Sequence, residues 1–142
     1  MPGFCLIAGC DRRPVLLTII KGIEMIQQLR LGVWESYMAC WTDPDEADRK
    51  LVLSHLLGAR CTYTDPNIEI TGIDELSDYM VQFQKNQPGA KFVTTRFNTH
   101  HDCTLTHWSM VSNEGVVLRR GASFGVFKDG KLSKIVGFFW DA

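Results

Sequence analysis

Tyr63 and Asp65 stand two residues apart in the stretch Cys61-Thr62-Tyr63-Thr64-Asp65-Pro66. On a strand that spacing points both side chains to one face. A carboxylate held against aromatic walls is costly to ionise, which suits it to general-base work on a carbon acid. An Asp before Pro also caps turns, because its carboxylate accepts backbone amides a few residues on. Both roles stay open at this level.

A metal centre is a second chemistry to weigh. His101, Cys103 and His107 share one face of a regular strand, but at about 3.3 Å per residue His101 and His107 lie about 20 Å apart and cannot hold one ion. A set of His101, Cys103 and Cys61 has no recognised ligand spacing, so no metal is expected. His101 or His107 is read instead as a group that hydrogen-bonds a ligand or gives up a proton near neutral pH. Thr106, Trp108 and Met110 alternate on one strand face, and Phe138 and Trp140 on another. Turned inward, these faces line an apolar hollow for a flat hydrophobic molecule; turned otherwise, they form sealed core or a contact surface. Of the adjacent Arg119 and Arg120 only one can face inward, and both are expected to be solvated or paired at the surface.

The chain that must position these groups has 142 residues, 45% of them apolar and 22% charged, which suits a single domain with a buried core. A formal net charge of −1 argues against a general electrostatic grip on nucleic acid or an anionic membrane. No uncharged apolar run approaches the roughly 20 residues of a spanning helix. Cysteines at positions 5, 10, 40, 61 and 103 are odd in number and form no C-x-x-C pair, which favours reduced thiols and a cytoplasmic setting. Leu6-Ile7-Ala8-Gly9-Cys10 has the local form of a lipoprotein cleavage site. No basic side chain and no long apolar stretch precede Cys10, so a lipid anchor is not expected.

From Ile26 to Trp41 apolar residues fall at helical spacing, a first helix. Thr42-Asp43-Pro44-Asp45-Glu46 ends it and starts a second, with Asp43 expected as cap and Pro44 in the first turn, running to about Leu57. Arg60 to Asp65 reads as a strand, Ile68 to Thr71 as a short extended piece, and Ile73 to Asn86 as a third helix. Strands follow at Lys91 to Asn98, Cys103 to Ser112, Val116 to Phe127 and Leu132 to Trp140. Asn113-Glu114-Gly115 and Asp129-Gly130 are hairpin signals, so the last three strands form an antiparallel meander. Helices first and strands last predict an α+β layer, and Gly121 and Gly125 suggest bends or bulges that curl the sheet. A curled sheet with helices across its opening encloses a pocket.

The element order and four local signatures resemble the NTF2-like superfamily and its SnoaL-like branch of polyketide cyclase and ketosteroid isomerase-like proteins. The signatures are Trp41-Thr42-Asp43, Cys61-Thr62-Tyr63-Thr64-Asp65-Pro66, Thr71-Gly72-Ile73-Asp74-Glu75-Leu76 and Phe127-Lys128-Asp129-Gly130-Lys131-Leu132. The resemblance covers residues 25–142 and leaves 1–24 as an N-terminal extension of unknown role. It implies a cone of N-terminal helices packed on a strongly curved, mostly antiparallel sheet, in a cytoplasmic bacterial protein without a cofactor. It also implies that Asp65 is the proton-shuttling carboxylate, that Tyr37 on helix one or Tyr63 donates to the oxyanion, and that Trp41 borders the substrate. Ser123 stands where isomerases and many cyclases carry an acid, and a hydroxyl cannot replace a carboxylic acid near neutral pH. The expected binding set is therefore Trp41, Thr106, Trp108, Met110, Ser123, Phe138 and His101. Three functions follow: a cofactor-free isomerase, cyclase or hydrolase acting on a small hydrophobic substrate, a non-catalytic small-molecule binder, or a protein-interaction module. Such sheets often pair through their outer surface, so Leu105, Val111 and Leu118 are expected in a homodimer.

Overall fold

Local sequence dictates most element ends in the computed structural model, which describes residues 12–142. The stretch from Leu6 to Cys10, with Cys5 and Cys10, lies outside the described residues. Helix α1 spans Arg13–Cys40, with Pro14 in its first turn, where a missing amide proton leaves no acceptor short. It starts earlier than the periodicity predicts, so position 24 lies inside it. Every residue from Arg12 to Leu29 is nonetheless exposed, and the helix first packs at Arg30. Helix α2 spans Glu46–Leu56 and is capped by Asp45, whose carboxylate accepts the Asp48 amide at 2.8 Å. Asp43 is not that cap: its side chain accepts the Asp45 amide instead and shapes the corner.

Strand β1 (Leu57–Asp65) leads into β2 (Ile68–Thr71) and then α3 (Ile73–Asn86), where Gly72 turns the chain at φ +92°. A side chain there would be strained, and glycine is not. The remaining strands, β3 (Lys91–His100), β4 (Cys103–Val111), β5 (Val117–Lys128) and β6 (Lys131–Asp141), form a four-stranded antiparallel meander. Asp129 and Gly130 both take positive φ, 52° and 77°, as a two-residue hairpin turn demands. The sheet order is β2-β1-β6-β5-β4-β3, and β1 pairs with β6 in parallel. Parallel pairing returns the end of the meander to the Tyr63–Asp65 segment, with Tyr63 opposite Ile135.

Among the described residues three helices thus pack on a curled, six-stranded mixed sheet, an α+β arrangement. The register slips near Thr94, Met110 and Val126, so the bulges fall there and not at Gly121 or Gly125. Gly121 sits directly opposite Trp108, and a Cβ there would run into the indole ring and the Phe138 carbonyl. Gly125 leaves room for Thr104 and Leu132 in the same way. Leu53, Leu57, Leu76, Met80, Leu132 and Ile135 fill the core where helices meet sheet. Arg49 is buried with them; its Nε donates to Ser77 Oγ and its guanidinium to the Asp43 carbonyl, both at 2.8 Å, fastening α2 to α3 and to the corner.

Candidate functional site

Asp65 is the last residue of β1, and its carboxylate has two sides. Oδ1 accepts the Asn67 and Ile68 amides, at 2.8 and 3.2 Å, which is the turn-capping role. Oδ2 accepts two hydroxyls, from Tyr63 at 2.8 Å and from Tyr79 at 2.9 Å. A carboxylate offers about four lone-pair sites, and all four have a donor here. The strand alternation that aligned Tyr63 with Asp65 is therefore real, and α3 contributes the third member. Tyr79 escaped notice in the sequence although it lies on the face of α3 that carries Leu76, Met80 and Phe83; the signal was present.

This cluster lies on the wall of a cavity of about 220 Å³ between α1, α3 and the sheet. Aromatic rings make most of the wall. Trp41 contacts Tyr37, Tyr63, Tyr79, Phe83 and Phe92, with centroids 5.6 to 6.5 Å apart. Phe92 in turn meets Trp108 edge-on at 5.0 Å. Asn67, Gln82, Asn86 and Gln87 add amide groups, and Arg119 adds a guanidinium that lies 5.0 Å over the Phe139 ring. Arg119 pairs with exposed Asp141 at 3.7 Å, the surface pairing expected, and of the adjacent arginines it is the one whose side chain also borders the cavity.

Burial sets the protonation of the phenols. Tyr37 and Tyr63 are raised well above the usual tyrosine range, chiefly because the ionised form would lose its water. Tyr79 is pushed up to about 12, by burial first and then by its bond to Asp65. All three therefore stay neutral donors at ordinary pH. The Trp41 side chain, hydrogen-bonded to Tyr37, opposes that residue's rise. Trp34 Nε1 is buried with no partner among the described residues.

Of the predicted site residues, Asp65, Tyr37, Tyr63, Trp41, Trp108, Met110 and Ser123 all line the cavity. Ser123 Oγ accepts the Trp108 indole proton at 3.0 Å, so it orients a ring of the wall. Three expectations are corrected. Phe138 is 58% exposed on the outer sheet face with Trp140, and Phe139 is the side chain that points in. Thr106 is fully buried in the sheet and does not border the space. His101 sits in the β3–β4 turn at φ 49°, exposed, where its carbonyl accepts the Arg30 guanidinium. That turn also removes His101 from the strand face it was expected to share. Among the described residues no three of His, Cys, Asp or Glu gather to hold a metal.

A helix-capped, curled sheet enclosing an aromatic cavity with one carboxylate defines the class of cone-shaped α+β pocket proteins. No family model matches the chain, and no curated protein matches it in sequence. Solved structures do match. A SnoaL-like family protein from Agrobacterium tumefaciens, provisionally assigned as an isomerase, superposes with a TM-score of 0.74 at 21% identity, over 80% of this chain and 98% of that one. A SnoaL-like protein from Jannaschia sp., provisionally a polyketide cyclase, gives 0.65 at 11% identity over 80% and 87%. A Kribbella flavida protein provisionally assigned as a ketosteroid isomerase gives 0.58 at 19% over 82% and 81%. The chain has the NTF2-like fold, in the form shared by SnoaL-like proteins.

Proposed function

We propose that this chain binds a small, flat, mostly apolar molecule in the aromatic cavity and catalyses a cofactor-free proton transfer on it, of the isomerase or cyclase type. The observation that carries the proposal is the Asp65 carboxylate standing in an aromatic wall beside neutral phenols. In this role Asp65 removes a proton from a carbon next to a carbonyl, and Tyr37, which keeps its own proton, donates to the enolate oxygen.

Size narrows the guest. A cavity of about 150 Å³ holds a benzene ring, so about 220 Å³ fits one or two rings and excludes a four-ring skeleton unless the walls move. The neighbours' provisional assignments support the reaction type, and the name of a substrate does not follow from them.

A second reading, a binder without turnover, is favoured by the saturation of Asp65: a base must first release a tyrosine. 2-Tetralone, a two-ring ketone with acidic α-protons, separates the two. Its deuterium exchange in heavy water, followed by proton NMR, should be accelerated by the native chain and lose the acceleration in Asp65→Asn. Binding without acceleration supports the binder, and absence of both refutes the cavity as a guest site. We further propose a cytoplasmic setting, consistent with the buried free thiols of Cys40 and Cys61, and a homodimer through the outer sheet face, where Leu105, Leu118 and Phe138 are exposed. No helix among the described residues is long and apolar enough to cross a membrane.

A further inference from the structure

The first half of α1 carries a run of apolar residues on which nothing among the described residues packs. Between Val15 and Leu29, nine large apolar side chains are each 43 to 65% exposed. Leu16, Ile19, Ile23 and Ile26 recur at alternating three- and four-residue steps, and the same register continues through Arg30 and Val33 to Tyr37 in the cavity wall. One seam therefore runs the length of the helix, buried by the domain in its second half and bare in its first. The arm, Arg13 to Leu29, is about 25 Å long at 1.5 Å per residue.

At its root lies a groove of about 350 Å³, lined by Ile26, Leu29, Val33 and Phe127 and edged by Asp102 and Asp129. The opposite end of the arm carries Arg12 and Arg13. We propose that a second copy of this chain covers the arm, the two helices packing antiparallel about a two-fold axis near Lys21. Leu16 of each then meets Ile26 of the other, Ile19 meets Ile23, and the basic end of each arm reaches the acidic edge of the other's groove.

Three observations select this occupant. An antiparallel two-fold pair satisfies the apolar seam and both charged ends at once, as a self-complementary interface must. At on the order of 100 Å² per Leu or Ile side chain, the residues on or flanking the seam (Val15, Leu16, Ile19, Ile20, Ile23 and Ile26) present on the order of 300 Å²; with the groove added this is a substantial part of the roughly 800 Å² per partner of a stable interface. A contiguous bare apolar patch of that size is often a functional contact surface. A membrane surface is the poorer match, since a helix that lies on lipid has a Lys/Arg-rich polar face, whereas the face away from the seam carries one lysine, Lys21, with Glu24 and Gln28.

Sedimentation velocity of the full chain over a concentration series tests the proposal. Ile19→Glu/Ile23→Glu should remove one association step, weakening it about a hundredfold, with far-UV helix content of the domain retained. Arg12→Glu should weaken that step about fivefold, and Asp102→Lys added to it should restore the loss. Phe138→Glu, on the sheet face, should leave the arm step intact, which separates this interface from the one proposed above. An unchanged association for Ile19→Glu/Ile23→Glu overturns the proposal. So does a monomeric native chain, or one that is monomeric in solution and co-sediments with vesicles of anionic phospholipid.

Discussion

Replacing Asp65 by Asn keeps the shape of the side chain and removes its charge, so it isolates what the carboxylate contributes to the cavity wall. In the native chain Oδ1 accepts two backbone amides and Oδ2 accepts the Tyr63 and Tyr79 hydroxyls. A hydrogen bond to a charged group is worth about 1.5–3 kcal/mol against about 0.5–1.5 kcal/mol for a neutral one. The carboxamide of Asp65→Asn can keep its oxygen on the backbone amides and turn its NH₂ to the phenols, which then reverse from donors to acceptors. The bonds survive in number and lose their charge assistance. The expected loss is about 2–3 kcal/mol, a fall in Tm of about 8–12 °C for a chain of this length. Tyr79→Phe alone should cost about 1 kcal/mol, and far less in the Asp65→Asn background, a coupling of about 1 kcal/mol in a double-mutant cycle. Thermal unfolding of the four proteins followed by circular dichroism measures it. Additive losses, or a loss below about 0.5 kcal/mol for Asp65→Asn alone, would refute the charge-assisted cluster.

The three tyrosines of the chain all face the cavity, so ultraviolet titration should show almost no phenolate up to about pH 11 in the folded state. Because their folded values are raised, the unfolded chain sheds these protons first; stability is full below about pH 10 and falls as pH rises through about 12, the Tyr79 value. A native titration near pH 10 would contradict that burial. Gly121→Ala should cost about 3 kcal/mol by denaturant unfolding, since the new methyl must displace either Trp108 or backbone. Arg49→Ala should cost about 3 kcal/mol and Arg49→Met about half of that, because much of the role of Arg49 is to fill the space between α2 and α3.

The parts legible in the sequence were those with local cause. Asp129-Gly130 must turn a hairpin, the spacing of Leu76, Met80 and Phe83 must make a helix, and Tyr63 must share a face with Asp65. What escaped depends on partners distant in sequence. Phe138, Phe139 and Trp140 are all aromatic, so alternation there carries no information about which side faces in. The register slip near Val126 and the pairing with β5 decide it, and Phe139 wins. The break between Asn98 and Cys103 was legible, but the tight β3–β4 turn within it was not, because His101 and Asp102 lack the glycine that usually announces positive φ. The early start of α1 was obscured by Lys21, Gly22 and Glu24 within an apolar run. Tyr79 needed α3 to be docked beside the end of β1 before its hydroxyl had a meaning.

Among the four tryptophans, Trp34, Trp41 and Trp108 line the cavity and Trp140 lies on the outer sheet face. Their indole N–H resonances in a nitrogen-15 correlation spectrum thus report guest binding by position. Titration with 2-naphthol, flat, two-ringed and carrying one hydroxyl, should shift the Trp34, Trp41 and Trp108 signals together to a one-to-one endpoint while Trp140 stays still. Movement of Trp140 alone, or no movement of the other three, would contradict a guest-binding aromatic chamber.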